Sequence, residues 1–473
     1  MKTKLFVIVR NFLEHTSLHG FRFIAERERH WSERFLWVIL CATSWVGSGV
    51  LFQFSYTAFQ ENAVSFVVET SYLESNTRFP SVSVCEEENF ARLHQKANEL
   101  FGEDHDNNLD EVLRELAYFK GSAYNLKHVC NQGGIECPRG NFSELARKVR
   151  MNCEEIFEIC WWIGTDMPFE CCKHFVPTET ELGTCFTLSD RNEKKLQDRG
   201  EPDWLDTTIY VDKPLPTIIL GLNATAKVYL HSEYETPFLD SHLSNIFRPN
   251  PSHENHIQIT IADTENSPEV RELSIYQRKC RFPDENDLQS ADFYSYSACV
   301  VDCRRRAQME LCNCTSHFTP KTRPEDQCDF DGIICLGSHS SRFTVLKSKW
   351  SDKDGLACDC LPGCIGADFD IIVADYPDVP KDMDADFSYI SIAILRFPTE
   401  RYKRVAVRGM LDLVVSIGGA AGLFLGASLL TIVEVSYYFL FQAWTSKLLE
   451  ENKLNPSEEE ELKGENEPVV QKV

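Results

Sequence analysis

Residues 413–433 read LVVSIGGAAGLFLGASLLTIV and contain no charged side chain. A second uncharged stretch runs for 26 positions, from Phe35 to Gln60. The hydrocarbon core of a bilayer is about 30 Å thick and needs roughly 20 helical residues, so each stretch is long enough to span it. The stretch from Phe35 begins too far from Met1 for a cleavable signal peptide and lacks a small-residue cleavage site. The sequence therefore predicts a membrane protein with two transmembrane helices.

Basic residues predict the orientation of the two helices. Residues 1–34 carry seven lysines or arginines, and the next basic residue after the first helix is Arg78. Excess positive charge stays on the cytoplasmic side, and the first helix usually sets the topology. Four basic residues just before the second helix oppose this assignment: Arg401, Lys403, Arg404 and Arg408. We give the first helix more weight and predict that both termini are cytoplasmic.

These features divide the chain into five predicted segments. They are a cytoplasmic N-terminus (1–34), transmembrane helix 1 (35–59), an extracellular domain (60–409), transmembrane helix 2 (410–443) and a glutamate-rich cytoplasmic tail (444–473). Within the extracellular segment, alternating and apolar runs predict strands at 63–68, 79–85, 217–220, 226–230, 257–261 and 389–395. Helical periodicity occurs at 109–116 and appears again, as a separate pattern, from 143 to 156. The predicted fold class is an α+β membrane protein with a large extracellular domain.

Cysteine usage indicates an oxidising compartment. Of 19 cysteines, all but Cys41 lie between the two predicted helices, which leaves an even number for disulfides. The same region holds two good glycosylation sequons, at Asn141 and Asn223. The net charge of −24 argues against nucleic acid as a partner, and a surface this acidic attracts cations.

One pair of disulfides follows from spacing. A helix over 297–311 places Cys299 and Cys303 one turn and about 6 Å apart. Cys358 and Cys360 are separated by about 6.6 Å in an extended segment. The matched spacings predict an antiparallel ladder that joins Cys299 to Cys360 and Cys303 to Cys358. A zinc site is the alternative, because Cys-x-Cys occurs twice, but an oxidising compartment favours disulfides.

The second span is unlike a simple lipid anchor. Gly418, Gly422 and Gly426 recur every four positions and form a stripe of small residues, followed by an ionisable residue at Glu434. Such a stripe is typical of close helix packing. It also suits a pore-lining helix that breaks near Gly426, because non-helical backbone at membrane depth must line a cavity or be buried in protein. An ionisable residue inside a span normally faces a cavity. The residues alone leave packing and pore as alternatives.

Several motifs resemble those of the epithelial sodium channel/degenerin family, which includes the acid-sensing ion channels. The run from Gly422 to Ser428 is similar to the family's pore signature, and the run from Ser17 to Gly20 is similar to its His-Gly gating motif. Further similarities lie at 79–85, 183–186 and 296–303, so the resemblance covers nearly the whole chain in order. The sequons, the short segment expected to form the family's thumb region and the extra cysteines of its finger region most resemble the insect pickpocket branch.

The resemblance implies a fold and a set of functional residues. The extracellular domain is expected to have the palm, finger and thumb of acid-sensing channels. Gly426, Ala427 and Ser428 would form the selectivity filter, and Gly422 would occupy the position associated with amiloride block. His19 and Gly20 would take part in gating, as would Val415 and Ser416, which replace a usual small residue and a usual Asp or Asn. Glu434 would add negative potential for cations.

The resemblance also implies further disulfides and an assembly. The expected pairs are Cys85–Cys185, Cys280–Cys364, Cys312–Cys335 and Cys314–Cys328. Six finger cysteines stay unassigned: Cys130, Cys137, Cys153, Cys160, Cys171 and Cys172. The chain would be one subunit of a homo- or hetero-trimeric, amiloride-sensitive, sodium-selective channel in the plasma membrane of sensory or epithelial cells. It would need no cofactor beyond the permeant sodium ion and would respond to an unknown extracellular ligand or other stimulus.

Three other functions are weighed against the channel. ATP-gated trimers share the two-span topology but use basic residues to hold phosphates, which an acidic, cysteine-rich domain fits poorly. A two-span scavenger-type receptor would need neither the glycine stripe nor Glu434 in its membrane anchor. An enzyme is disfavoured because the chain contains no Gly-x-Ser-x-Gly, His-Glu-x-x-His or phosphate-binding glycine loop.

Overall fold

The computed structural model describes residues 2–26, 28–70, 77–131, 137–163, 167–201, 204–222, 226–249, 254–348, 350, 352, 354–375, 388–398, 400–441 and 445. By contacts the chain divides into two compact units. The helical unit comprises 1–65 and 406–473, and the cysteine-rich unit comprises 66–405. Most of the predicted tail (444–473) and the sequon at Asn223 lie outside the described residues.

The helices number as follows along the described chain: α1 Lys2–His15, α2 Phe21–Ala25, α3 Trp31–Glu61, α4 Phe90–Phe101, α5 Asn108–Ala117, α6 Tyr124–Asn131, α7 Phe142–Val149, α8 Cys153–Ile156, α9 Cys171–His174, α10 Asp190–Asp198, α11 Pro268–Glu272, α12 Ile275–Arg278, α13 Tyr296–Cys312, α14 Phe330–Ser338, α15 Ser340–Thr344, α16 Met410–Leu425 and α17 Leu429–Ser436. A single π-helical segment, Tyr437–Phe441, continues α17.

The strands are β1 Val64–Glu69, β2 Ser81–Glu86, β3 Phe157–Ile163, β4 Met167–Pro168, β5 Val176–Thr180, β6 Gly183–Leu188, β7 Thr217–Leu222, β8 Ala226–His231, β9 Ile246–Phe247, β10 Glu254–Asn266, β11 Gly366–Asp375, β12 Ser388–Ile394 and β13 Arg401–Ala406. Each strand that the pattern predicts has a counterpart here.

In the helical unit, α3 and α16 pack side by side along an apolar contact. Both Phe35 and Phe54 expose more than half of their side chains, as expected of a helix that is apolar all round and faces lipid. A methyl group built on Gly47 of α3 would lie 2.9 Å from the ring of Phe424, so glycine is what lets α16 approach this closely. Helix α3 is long and apolar enough to cross a membrane. The segment from α16 to Phe441 qualifies as a second span only if its two halves, bent by 67°, are taken together.

The cysteine-rich unit is built on two sheets that share a core. The larger sheet has the order β1-β13-β10-β12-β7-β3-β4, with β11 pairing on β10, and the smaller has the order β5-β6-β2-β8-β9. Side chains of strand β12 alternate between buried and half-buried positions, with Ile390, Ile392 and Ile394 buried, as its sequence predicts. All six residues of β2 are buried, because the strand lies between β6 and β8 in the smaller sheet. The core draws side chains from both sheets.

The helices of the cysteine-rich unit form further cores of their own, and one sequence expectation about these helices is wrong. The helical periodicity from 143 to 156 does not form one helix. Helix α7 ends at Val149, and α8 begins at Cys153 under a capping box made by Asn152 and Glu155. Arg150 takes extended backbone angles at the end of α7. A buried ion pair with Glu86 and a hydrogen bond from its guanidinium to the carbonyl of Leu182 hold it there. Long-range bonds of one arginine thus outweigh the local helical pattern.

Nine disulfides cross-link the cysteine-rich unit. The pairs are Cys85–Cys185, Cys130–Cys137, Cys153–Cys172, Cys160–Cys171, Cys280–Cys364, Cys299–Cys360, Cys303–Cys358, Cys312–Cys335 and Cys314–Cys328. The two ladder rungs have Cα separations of 5.8 and 6.0 Å, within the range that a disulfide allows. The four pairs implied by the resemblance are also present. The finger cysteines, left unassigned by sequence, form the pairs Cys130–Cys137, Cys153–Cys172 and Cys160–Cys171.

We expect removal of one of the two ladder disulfides to lower the stability of the chain only modestly. The bridge Cys299–Cys360 closes a sequence separation of 61 residues, but the neighbouring bridge Cys303–Cys358 closes nearly the same loop. With Cys303–Cys358 intact, the bridge Cys299–Cys360 closes only a small additional ring. Replacing Cys299 and Cys360 by serine should therefore lower the free energy of unfolding by only about 2 kcal/mol. The midpoint of thermal denaturation of the purified full chain measures this. Loss of all folded protein would contradict the shared-loop explanation.

Candidate functional site

The second span is interrupted at three small residues. Helix α16 ends at Leu425, and α17 begins at Leu429. Gly426 has φ 66°, the left-handed conformation that glycine tolerates best, and it ends α16 in the usual way for a helix C-terminus. Ser428 is extended and caps α17, with its backbone N–H 3.1 Å from Oγ1 of Thr431. The break expected near Gly426 is therefore located at 426–428.

The break leaves backbone oxygens unused. Within the part of the chain that the structure describes, no hydrogen bond is made to the carbonyl oxygens of Gly426 and Ala427. The carbonyl of Leu425 accepts from His19, and that of Ser428 accepts from Thr431. Unpaired carbonyls are costly in a bilayer unless they face water, an ion or protein. This pair of oxygens is therefore available to a hydrated cation.

The glycine stripe does not serve the contact with α3. A methyl group built on Gly418 or Gly419 would meet no described heavy atom within 4 Å, and one on Gly422 would reach only the carbonyl of Ala427, at 3.9 Å. The α3 contact is instead made by the side of α16 that carries Ala420 and Phe424. Packing within one chain therefore does not explain Gly418 and Gly422, which stay open to a partner or to water.

The N-terminal segment folds back onto the break. The carboxylate of Glu434 accepts hydrogen bonds from the hydroxyl of Ser17 at 2.7 Å and from its backbone N–H at 3.2 and 3.3 Å. The Ser17 hydroxyl also lies 3.1 Å from Oγ1 of Thr431, the residue that caps the break. Glu434 is half-buried and engaged by these donors. The expectation that it simply faces a cavity is thus refined, because its nearest described partners belong to the N-terminal segment.

His19 and Gly20 complete this contact. The backbone N–H of His19 donates to the carbonyl of Leu425 at 3.0 Å, and a methyl group on Gly426 would lie 2.5 Å from the His19 ring. Gly20 has φ 86°, and a methyl group there would lie 2.4 Å from the sulfur of Cys41. Glycine is therefore required at both positions by conformation and by space. The His-Gly motif and the 426–428 break form one packed arrangement.

Other residues expected to matter lie apart from this contact. Val415 and Ser416 are exposed on α16, one to two turns before Gly422. Asn141 is exposed at the start of α7, where a glycan could be attached without disturbing the core. Sequence reasoning missed Thr431 and the bond from Ser17 to Glu434, whereas Cys41 packs inside the helical unit as its apolar surroundings indicate. The signal for Ser17 was its place at the start of the run from Ser17 to Gly20 that resembles the gating motif.

Comparison with known proteins now decides the family. The family model described as amiloride-sensitive sodium channel matches residues 12–438, which is most of the chain. The chain belongs to the amiloride-sensitive sodium channel family. Members are ion channels rather than enzymes, so the enzyme, the scavenger-type receptor and the ATP-gated channel are rejected as alternatives. The membership also supports a membrane location and the α+β channel fold that the resemblance implied.

Individual relatives of this chain are also named as channel or pickpocket proteins. The sodium channel protein Nach of Drosophila ananassae is 25% identical over 91% of this chain and 86% of its own length. Pickpocket protein 19 of Drosophila melanogaster is 24% identical over 90% of this chain and 89% of its own length. Acid-sensing ion channel 1C of Danio rerio is 25% identical over 93% of this chain and 84% of its own length. The insect matches are those that the additional cysteines and sequons led us to expect.

We predict that Ser17→Ala loosens the N-terminal segment of this channel chain. The change removes the 2.7 Å bond to the Glu434 carboxylate, and a hydrogen bond to a charged group is worth about 1.5–3 kcal/mol. Cys41 is a buried free cysteine beneath Gly20, so undocking of the segment should expose it. The rate at which a membrane-permeant thiol reagent modifies Cys41 should rise by roughly tenfold or more.

The matched control for this experiment is Thr43→Ala. Thr43 is an α3 residue close to Cys41, and among the described residues its hydroxyl bonds only to the carbonyl of Ile39, on the same helix. This variant should leave the modification rate unchanged. Equal rates in the Ser17→Ala variant and the unmodified chain would contradict docking of the segment.

Proposed function

We propose that this chain is a pore-forming subunit of a trimeric, sodium-selective cation channel of the plasma membrane. The observation that carries the proposal is the break at 426–428, with its small side chains and unused carbonyls. Family membership supports a channel, and the Nach relative from Drosophila ananassae is named as a sodium channel protein. Two glycines of α16, Gly418 and Gly422, support an assembly, because α3 does not cover them and they are open to a neighbouring subunit or to water.

The filter would work by replacing part of the ion's hydration shell. In a trimer, three copies of Gly426, Ala427 and Ser428 would converge on the axis, because only small side chains allow backbones to approach so closely. The carbonyls of Gly426 and Ala427 and the hydroxyl of Ser428 would then supply oxygen ligands to sodium. No cofactor other than the permeant ion is needed for this step.

The N-terminal segment would gate or support this filter. Its contacts with Leu425, Gly426 and Glu434 couple the His-Gly motif to the broken helix. Movement of His19 and Gly20 would therefore alter the backbone that meets the ion. The negative charge of Glu434 would add favourable potential for cations while its oxygens hold Ser17 in place. Val415 and Ser416, further along α16, would influence closure.

The finer features follow from the same arrangement. Gly422 lies one turn before the filter, where amiloride would enter and block. The basic N-terminal residues favour cytoplasmic termini, with the disulfide-bonded unit outside the cell receiving an extracellular ligand or other stimulus. Sensory or epithelial cells would use such a channel for sodium entry. The partners would be two further copies or related subunits, in the lipid bilayer.

Recording current tests the proposal. The chain is expressed alone and with related subunits, and reversal potentials are measured in sodium and in potassium, with and without amiloride. We expect a sodium-selective current that amiloride reduces, in at least one combination that has this chain at the cell surface. Equal permeability to potassium in every conducting combination would contradict the proposed filter. Surface chain without current in any combination would contradict the pore-forming role.

A further inference from the structure

Two histidines and one aspartate meet where α4 turns into α5. Nδ1 of His94 lies 2.7 Å from one carboxylate oxygen of Asp110, and Nε2 of His105 lies 2.7 Å from the other. One ligand-type atom from each of the three residues lies within 4.8 Å of the other two. This cluster lies in the cysteine-rich unit and has no part in the proposed filter.

The orientation of His105 is that of a metal ligand. Its Nδ1 lies 2.8 Å from the carbonyl oxygen of Gly102, which can only accept, so Nδ1 carries the hydrogen. The second nitrogen, Nε2, is thereby directed at the carboxylate of Asp110. Two acceptors that face each other need a positive charge between them, either a second proton or a metal ion. A histidine that donates one nitrogen to a backbone carbonyl and offers the other is the usual arrangement in metal sites.

The backbone holds this arrangement in place while leaving access from solvent. Gly102, with φ 94°, ends α4 and turns the chain so that His105 reaches α5. The His105 side chain is only 2% exposed, with its ring centroid 6.2 Å from that of Phe101. The His94 side chain is 55% exposed. One ligand is thus fixed by packing, and another lies at an open side through which an ion and water can enter.

We propose that His94, His105 and Asp110 bind Zn²⁺, with water in the fourth position. Zinc binds nitrogen and oxygen ligands at about 2.0–2.2 Å in tetrahedral sites, which places ligand atoms roughly 3.3 Å apart. Each 2.7 Å separation joins a nitrogen to a different oxygen of Asp110, so one oxygen would become the zinc ligand and its nitrogen neighbour would move away by about 0.6 Å. The ion would link α4 to α5. It would supply the positive charge that a proton between the histidine nitrogen and the carboxylate supplies when no metal is bound.

The second cluster of metal-ligand residues does not compete for this ion. Cys312, Cys335 and His339 are also close together, but the two sulfurs are bonded to each other. Thiolate ligands are therefore absent from that group while the disulfide is intact. Histidine and carboxylate remain the ligands suited to an oxidising compartment.

Zinc titration of the untagged full chain in detergent tests this site. After treatment with EDTA and its removal, ZnCl₂ is added, and binding is followed by calorimetry and by the midpoint of thermal denaturation. We expect one bound zinc per chain at this cluster and a raised midpoint. MgCl₂ should have no such effect, because magnesium prefers octahedral oxygen ligands.

Single variants locate the binding. His94→Gln should fold normally, since His94 is exposed, and should weaken zinc binding by at least tenfold, as should Asp110→Asn. His128→Gln is the control, because His128 is also an exposed histidine on a helix of the cysteine-rich unit, α6. It should bind zinc like the unmodified chain. Undiminished affinity in His94→Gln, or no zinc-induced change in the unmodified chain, would overturn the proposal. Both readouts are independent of current, so they stand apart from the filter.

Discussion

Replacing Ser428 by tyrosine is expected to abolish the current of complexes that contain this chain, while delivery to the cell surface is preserved. Ser428 follows the two unused carbonyls directly and is exposed at the break. If three copies converge there, three phenol rings would fill the space that the ion needs. Nothing in the described fold of one chain forbids the larger side chain, so folding should survive.

Two further variants sharpen this experiment. Ser428→Ala removes the hydroxyl but keeps the backbone oxygens, and it should shift the reversal potential between sodium and potassium without ending conduction. Ser436→Tyr is the matched control, because Ser436 is exposed on α17 and, within the described part of the chain, its hydroxyl bonds only to the carbonyl of Ile432. Current from each variant is compared at equal surface labelling. Unaltered current and selectivity in Ser428→Tyr would return the 426–428 segment to a packing role.

Replacing Arg304 by methionine is expected to destabilise the cysteine-rich unit by about 3–5 kcal/mol. The Arg304 guanidinium is buried and pairs with Glu181 and Asp240, while its Nε donates to the carbonyl of Phe343 at 2.8 Å. Removing it leaves the buried Glu181 carboxylate without its cation. Because α13 carries both Arg304 and the disulfide ladder, the loss should lower the thermal denaturation midpoint of the whole unit.

The pH dependence of this loss identifies its cause. Burial raises the pKa of Glu181 even with the guanidinium beside it. A carboxyl whose folded-state pKa is raised binds protons more readily in the folded chain, so lowering the pH favours folding. The destabilisation by Arg304→Met should therefore be smaller at acid pH than at neutral pH. Adding Glu181→Gln should restore part of the stability at neutral pH.

The control for Arg304 lies on the same helix. Arg306 also pairs with an acid, at 3.0 Å from Asp302, but its side chain is 62% exposed. The buried Asp302 carboxylate keeps its ion pair with Arg305 at 3.0 Å when Arg306 is removed, and an ion pair of an exposed side chain is worth at most about 1 kcal/mol, so Arg306→Met should shift the midpoint little. Equal losses in the two variants would show that burial of the charge is not the cause.

Much of the fold followed from local sequence signals. Uncharged length predicted both spans, and cysteine count with location predicted an oxidised domain. The four-residue spacing of Cys299 and Cys303 on a helix matched the two-residue spacing of Cys358 and Cys360, because both distances come from regular backbone geometry. The position of the break was also local, since a glycine followed by two small residues ends a helix with little cost.

Other features depended on contacts that leave no local pattern. The periodicity from 143 to 156 is helical, yet α7 stops because Arg150 is held by groups distant in sequence. The adjacent cysteines Cys171 and Cys172 point to different partners, Cys160 and Cys153, and spacing alone gave no reason to choose between them.

The candidate site divides in the same way. The sequence by itself determined which residues are small enough to break the second span, which leaves two backbone carbonyls without a hydrogen bond among the described residues. Only the tertiary structure decided what supports them: Ser17 bonds to Glu434, 417 positions away, and His19 packs on Gly426. Periodicity and spacing report on neighbours along one helix or strand. A hydrogen bond between remote segments depends on how the whole chain folds, so it appears only when both ends are brought together.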